Sequence, residues 1–389
     1  TPSNSSAASD VYKRQVVKYI DGLLEKSTPD APVWNIEKIK QGLKSKWNYI
    51  DGCMIKAVLQ MYDLTKEEKY LKFADDFIDY RVFEDGTIDG YSIGEKNIDN
   101  VNAGKTLFEL YDLTGKEKYK KAADLVYSQI EIMPRCQNEA RSFWHKDIYP
   151  EQVWLDGLYM AEPFYAEYAA RNLSGVEYEK AVDDIVNQFV AAAAHTFDPA
   201  TKLYRHACDV SREMFWCDKT TGQSAHAWGR AMGWYVMAIV ETLQYLGVND
   251  TTLPMIDILN YICEVLPEYA DPATGMWYQV LDQPKRKGNF PEASVTTQFM
   301  YAYAKAVNKG YIDPKYRAVA EKAFKGLKSK LMVERQDGTL TLTRCCQVGG
   351  LGGHPYRDGS FEYYIGEKMR DNDAKATGPF IMGCLELNK

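Results

Sequence analysis

The stretch Trp144–Pro163, WHKDIYPEQVWLDGLYMAEP, gathers His145, Lys146, Trp154 and Asp156 where a loop hands over to an apolar helix. Asp156 heads that helix. Leu158, Met160, Ala161, Phe164, Tyr165 and Tyr168 follow it at the spacing of one buried helical face. An acid at a helix start is commonly a plain N-cap. An indole beside a carboxyl group also strips water from it and favours its protonated form, which suits a general acid. The basic pair about ten residues upstream of Asp156 could bind an anion. A cap and a catalytic acid are both open on this stretch alone.

A second cluster is SAHAWGRAMGWY, residues 224–235, which brings His226, Trp228, Arg230 and Trp234 within one or two turns. Trp234 lies four residues after Arg230, on the same helical face. An Arg at a helix start opposes the helix dipole, so it answers a ligand or a partner acid, or else forms a surface salt bridge. His206, in LYRHACDVSREMFWC, is a lone histidine, and most such residues are structural. The tail VGGLGGHPYRDGSFEYYIGEKMRDNDAKATGPF is rich in Gly and aromatics. It lacks GxGxxG and no strand precedes it, so it is not a phosphate loop.

The elements that must position these residues are helical. Apolar residues recur at i, i+3, i+4 and i+7 in about twelve segments, near 11–27, 49–64, 67–82, 100–114, 116–133, 154–172, 177–196, 229–246, 253–268, 292–309, 314–332 and 374–387. Strand-like patches fall around 84–92, 202–216, 276–282 and 338–346. There is an internal repeat: YDLTKEEKYLKFA at 62–74 matches YDLTGKEKYKKAA at 111–123, with fainter copies at 168–181 and 303–320. In each, a helix ends at the Tyr, a short turn follows and a second helix starts. Six such hairpins favour an all-α, closed (α/α)6 barrel over an open solenoid.

The helices alternate in character. Those starting near 49, 100, 154, 229, 292 and 374 are rich in Gly, Ala, Met and aromatics, whereas those near 67, 116, 177 and 314 carry Lys and Glu on one face. The first set forms the inner ring. Its N-termini gather at one mouth and bring together Tyr49 and Asp51, Asp99, Trp154 and Asp156, Trp228 and Arg230, and Lys375 with Thr377. Helix N-termini favour anions. The mouth therefore suits an anionic ligand, with Asp99 and Asp156 available for chemistry.

Composition bounds the function. The chain has 389 residues, net charge −7, and 28 Tyr, 14 Phe and 8 Trp. A mildly acidic chain without a basic patch is a poor nucleic-acid binder. Aromatic faces in such number either fill a large core or line a sugar groove. Eight scattered cysteines without a CxxC pair, and five His without HxxxH, give neither a metal site nor a disulfide framework, and no cofactor is expected. No apolar run is long enough to span a membrane. Residues 1–14 read as a disordered leader or expression remnant, and 15–389 as one catalytic barrel domain. The charge and cysteines fit the bacterial cytoplasm, or the periplasm if a signal peptide has been removed. A monomer or homodimer is expected.

The chain resembles glycoside hydrolase family 105, the unsaturated rhamnogalacturonyl hydrolases. The motifs FWHKDIYPEQVWLDGLYMAEPFYAEYA, HAWGRAMGWY and GLGGHPYRDGSFEYYIGEKMRDNDAKATGPF carry the resemblance, which covers the chain from about residue 35. It implies an (α/α)6 barrel that removes the terminal 4,5-unsaturated uronic acid left on a pectin fragment by a polysaccharide lyase. It further implies Asp156 as general acid and base, Asp99 as the acid that holds the ring, and His206 as a substrate-binding histidine. Trp228, Arg230 and Trp234 match the wall of the pocket, and Tyr49, His145, Lys146 and Trp154 further positions in it. Arg230 and Lys146 are candidates for the substrate carboxylate. The rivals are an unsaturated glucuronyl hydrolase acting on arabinogalactan, ulvan or glycosaminoglycan fragments, and a non-enzymatic helical carbohydrate-binding or scaffold protein.

Overall fold

The computed structural model describes residues 4–389. Its helices are α1 (Asn4–Leu24), α2 (Ile36–Lys40), α3 (Tyr49–Thr65), α4 (Glu68–Asp79), α5 (Lys105–Thr114), α6 (Glu117–Ile132), α7 (Leu155–Asn172), α8 (Gly175–Thr196), α9 (Gly229–Leu246), α10 (Leu253–Val265), α11 (Ala293–Asn308), α12 (Arg317–Lys330), α13 (Phe361–Gly366) and α14 (Ala374–Asn388). Six of them close a ring. Helix α3 packs on α5 and on the 3-10 turn Ile98–Gly104 that leads into it, α7 packs on that turn and on α9, α9 on α11, α11 on α14, and α14 back on α3. Outside the ring, α4, α6, α8 and α12 back onto α3, α5, α7 and α11. Helix α10 packs on α8 and α9, and α1 closes over α14. The fold is a closed (α/α)6 barrel whose first helix partners its last.

Burial follows the sequence pattern. Residues 374–387 of α14 and 293–306 of α11 are all buried, as a helix apolar on every side must be. Helix α4 buries only Tyr70, Ala74, Phe77 and Ile78, a single stripe. Small residues let the inner helices approach: a Cβ on Gly52 would stand 2.8 Å from the Ala103 backbone, and one on Gly378 2.5 Å from the Cys53 carbonyl. One apolar core runs from Val16 to Leu387.

The repeat is visible atom by atom. Lys66 and Gly115 close α3 and α5 in left-handed conformations, φ 56° and 68°, and their N–H groups donate to Tyr62 O and Tyr111 O. Thr65 and Thr114 hydroxyls donate back to Met61 O and Leu110 O.

Three local expectations change. The helix expected from residue 100 is a 3-10 turn to Gly104 and α-helical only from Lys105. The helix expected from 154 is preceded by a short strand, Gln152–Trp154, paired antiparallel with Ala207–Asp209. Helix α1 begins at Asn4, inside the stretch 1–14 expected to be a leader, and residues 1–3 lie outside the described residues. The strand-like patches at 202–216 and 338–346 do contain strands, Leu203–Tyr204, Ala207–Asp209, Leu340–Leu342 and Cys345–Cys346. All eight cysteines are free and buried. Among the described residues no helix is long and apolar enough to cross a membrane, and no group of three or more His, Cys, Asp or Glu could hold a metal ion.

Candidate active site

The N-terminal ends of the inner helices meet at one mouth and enclose a cavity of about 170 Å³. Tyr49, Asp99, His145, Lys146, Trp154, Asp156, Trp228, Arg230 and Trp234 all line it. The tenth expected residue, His206, does not. It is fully buried behind Asp156, off the cavity surface, with its Nε2 3.1 Å from the acid.

Local pairing explains the convergence. The Gln152–Trp154 strand sets Trp154 opposite Ala207, and Leu155 N–H donates to His206 O at 3.1 Å. Asp156 then falls in the first turn of α7, with its Oδ2 3.1 Å from His206 Nε2. The two atoms are close but not aligned for a hydrogen bond. His206 Nδ1 is fixed from the far side by the Tyr364 hydroxyl at 2.7 Å. Trp228 and the edge of Trp154 enclose the same imidazole. Among the described residues no Lys or Arg lies within 4 Å of the Asp156 carboxylate.

Asp99 has a different setting. Asn97 caps its N–H, and Ile98 N–H bonds His145 O, which ties the 3-10 turn to the His145–Lys146 segment. Lys146 Nζ stands 2.7 Å from Asp99 Oδ2 and His145 Nε2 3.4 Å from Oδ1. Burial alone would raise the Asp99 carboxyl, but the charges of Lys146 and His145 outweigh it and hold it below the ordinary carboxylate range. Burial brings His145 down to about 4, against the pull of Asp99, so the ring is neutral at pH 7. That ring stacks on Trp154 at 4.7 Å, and Trp154 on Tyr149 at 5.2 Å.

The opposite wall comes from α9. Trp228 stacks on Tyr364, and Trp234 on Tyr159. Arg230 is buried, not a surface residue. Its Nε donates to Ser294 Oγ at 2.8 Å, its Nη2 donates to the Cys346 carbonyl, and its partner acid is Glu292 at 3.8 Å. Asp51, expected at the mouth, is not on the cavity. It is buried beneath the Trp34 indole, which donates to it at 2.9 Å, and burial raises its carboxyl to about 6 against the opposing charge of Arg81. Lys375 does reach the cavity, clamped by Asp373 at 2.7 Å.

Tyr149, Met160, Val348, Gly349 and Arg357 also line the cavity and were not singled out as site residues in the sequence. Gly349 and Arg357 belong to the Gly-rich tail, whose backbone lies across the Trp228 indole. The only signal available was that run of glycines beside aromatics. A larger groove of about 710 Å³ adjoins the cavity, sharing Tyr49, Val348 and Lys375 with it. Lys38, Lys44 and Lys46 line that groove.

Residues 18–389 match the family described as Glycosyl Hydrolase Family 88. A solved glycoside hydrolase from family 105 of C. acetobutylicum is 41% identical, with a TM-score of 0.85 over 91% of this chain and 98% of its own. The unsaturated rhamnogalacturonyl hydrolase YesR of Bacillus subtilis is 27% identical over 249 residues, 61% of this chain and 65% of its own length. An unsaturated glucuronyl hydrolase from Bacillus sp. GL1, responsible for glycosaminoglycan degradation, shares the fold with a TM-score of 0.63 at 13% identity, over 89% of this chain and 87% of its own.

Proposed function

The chain belongs to glycosyl hydrolase family 88 and, with its 41%-identical relative, to family 105, and we propose that it removes the terminal 4,5-unsaturated uronic acid from lyase-generated rhamnogalacturonan oligosaccharides. The observation that carries this reading is the unequal setting of the two cavity acids. Asp99 is held ionised by Lys146, whereas Asp156 has the buried His206 imidazole 3.1 Å away and, among the described residues, no Lys or Arg within 4 Å. A displacement at the anomeric carbon needs two carboxylates in complementary roles. Hydration of a double bond needs one group that gives a proton and then takes one.

In the proposed cycle, protonated Asp156 delivers its proton to C4 of the vinyl ether, and positive charge develops at C5. The resulting Asp156 carboxylate accepts a proton from the water that adds at C5, which regenerates the acid. The hemiketal so formed opens and releases the rest of the oligosaccharide. His206, fixed by Tyr364, keeps the Asp156 carboxyl aimed into the cavity. Ionised Asp99 accepts hydrogen bonds from ring hydroxyls and stabilises the charge at C5. Trp154, Trp228 and Trp234 pack on the sugar and exclude water. Tyr49, His145, Lys146 and Arg230 complete the polar wall. The groove beside Tyr49 and Lys375 gives the remaining sugars a way out.

The name of the YesR relative supports rhamnogalacturonan as the source of the substrate. The test is the ultraviolet absorbance of the conjugated double bond, followed on lyase-digested rhamnogalacturonan. Steady loss with the wild type and none with Asp156→Asn is the expected result. Loss only on arabinogalactan, ulvan or glycosaminoglycan digests would replace the proposed substrate, and loss on none of them would refute the reaction.

A further inference from the structure

Four cations line the cavity: Lys146, Arg230, Arg357 and Lys375. Three are already matched by an acid of the protein, Lys146 by Asp99 at 2.7 Å, Lys375 by Asp373 at 2.7 Å and Arg230 by Glu292 at 3.8 Å. Arg357 is different. Among the described residues it has no carboxylate within 4 Å. Its Nε donates to Gly352 O at 2.9 Å and its Nη2 to the Tyr149 hydroxyl at 3.2 Å, both neutral acceptors. A guanidinium has five N–H donors and keeps its charge. Two are used here, so the end-on fork of Nη1 and Nη2 retains donors for an anion.

The loop around Arg357 is shaped to hold that guanidinium. A side chain at Gly350 would overlap its Nη1 and Cζ. Gly352 and Gly353 adopt φ 66° and 81°, conformations that glycine takes without strain. Gly352 and Arg357 exchange backbone hydrogen bonds, at 2.7 and 3.2 Å, and close the turn that points the side chain inward. Tyr149, the other anchor, is the outer ring of the His145–Trp154–Tyr149 stack, so the guanidinium is braced against the same wall that carries Lys146.

We propose that Arg357, not Arg230 or Lys146, receives the carboxylate of the terminal uronate, and that the Gly-rich loop 349–359 is the element that selects an acidic sugar. The inference rests on the proposed reaction for its substrate, and on charge pairing for its residue. An anion on Arg357 would fix the sugar at its C5 end, the end where charge develops. Arg230 and Lys146 then serve to hold Glu292 and Asp99 in place, which explains why each is paired before any ligand arrives.

The test compares an unsaturated galacturonide with its methyl ester, in the wild type, Arg357→Met, Arg357→Lys and Gly350→Ala. The ester's intrinsic reactivity cancels when the acid-to-ester ratio of kcat/KM is compared between a variant and the wild type. Arg357→Met should lower that ratio by about 10- to 100-fold, the scale of one charge-assisted fork, with the loss mainly in KM. Arg357→Lys should keep part of it. Gly350→Ala should lower it although Arg357 is still present, because the guanidinium is displaced. An equal fall on acid and ester would mean a structural role and overturn the proposal. A second arm needs no turnover: tryptophan fluorescence is titrated with galacturonate and with galactose. The wild type should prefer galacturonate and Arg357→Met should not. If the wild type hydrates no unsaturated uronide, the proposed reaction falls, and this arm still decides Arg357. A preference retained in Arg357→Met, or absent from the wild type, overturns the assignment.

Discussion

The two ends of the barrel interior are built from the same residue types and do opposite things. At the C-terminal ends of the inner helices, acids, lysines and tyrosines surround a bowl of about 500 Å³. Lys56 meets Glu109 at 2.7 Å, and Lys305 donates to Gln244 at 2.7 Å and to the Tyr301 hydroxyl at 2.9 Å. Just above them Glu241 accepts from Tyr159 and Tyr301, with Lys105 3.6 Å away. At the N-terminal ends, Asp99 is tied in the same way, but Asp156 is not. A buried acid matched by a cation and two hydroxyls is a structural device. An acid of the same chemistry at a helix start, with one imidazole 3.1 Å away and, among the described residues, no Lys or Arg within 4 Å, is left unmatched by the protein's own cations. The difference lies in the partners, not in the residue types.

That comparison breaks first at its strongest point. Asp156→Asn should lower kcat by about 10²- to 10⁴-fold, the range of a lost general acid and base, measured by loss of ultraviolet absorbance. Its melting temperature should stay the same or rise, because active-site acids are held at some expense to stability. Glu241→Gln should do the reverse. Breaking one side of a buried charge pair costs about 3–5 kcal/mol, while the folded fraction should keep its kcat. If Asp156→Asn melts as early as Glu241→Gln, the two ends are not functionally distinct.

pH should separate the ends next. Burial brings Lys105 and Lys305 down to about 8, against the attraction of Glu241. Below pH 8 both lysines are protonated in the native and unfolded chains, and the native state bears the whole penalty. Between about 8 and 10.5 the unfolded chain still holds protons that the native state has released, so stability rises with pH. Asp99 gives a slope of the same sign in the acid range, but there it reflects a stabilising interaction and not the release of a penalty. Its carboxyl is held low against the effect of burial by Lys146 and His145, so its contribution is present above the ordinary carboxylate range and is lost as pH falls through the native value. Urea unfolding across pH should show a gain of roughly 1–3 kcal/mol on the alkaline side. Lys305→Met should remove about half of that gain, its share beside Lys105, and leave the acid limb alone, and Asp99→Asn should flatten only the acid limb.

The barrel was legible because its evidence is local. Periodicity marks α3 to α12 and α14, the repeat marks the hairpins, and the counting of inner helices places Tyr49, Asp99, Asp156, Arg230 and Lys375 at one mouth. What the chain order hides is partners. Asp51 shares the mouth's side of α3 with Tyr49, yet Trp34 and Arg81, far off in sequence, claim it for the core. Arg230 signals a ligand or an acid equally well until Glu292, 62 positions on, is seen beside it. The Gln152–Trp154 strand is too short to have a pattern of its own, and it exists because Ala207–Asp209 lies opposite. Arg357 sits in a loop without periodicity, and only the glycine contacts reveal why it points inward.

The smallest effect lies at the turns that close the lower end. The two copies of the repeat differ at one position that matters for backbone: Lys66 in α3 and Gly115 in α5 occupy the same left-handed cap. A Cβ there crowds the following carbonyl at about 1–2 kcal/mol, partly offset because glycine loses more entropy on folding. Neither site meets a neighbour that would strongly resist the change, since a Cβ at Gly115 finds open space and the Lys66 ammonium makes only exposed contacts, with Asp63 at 3.3 Å and over the Tyr62 ring at 5.1 Å. Lys66→Gly should therefore stabilise by about 0.5–1 kcal/mol and Gly115→Lys destabilise by a similar amount, with activity unchanged in both. The double exchange should be close to neutral, because the sites belong to different hairpins and make no contact with each other. Equal and opposite shifts in the urea midpoint would show that the two hairpins are energetically as well as geometrically equivalent. Unequal shifts would mean that α3, which is flanked by α14 and by the wall bearing Asp51, carries strain at its cap that α5 does not.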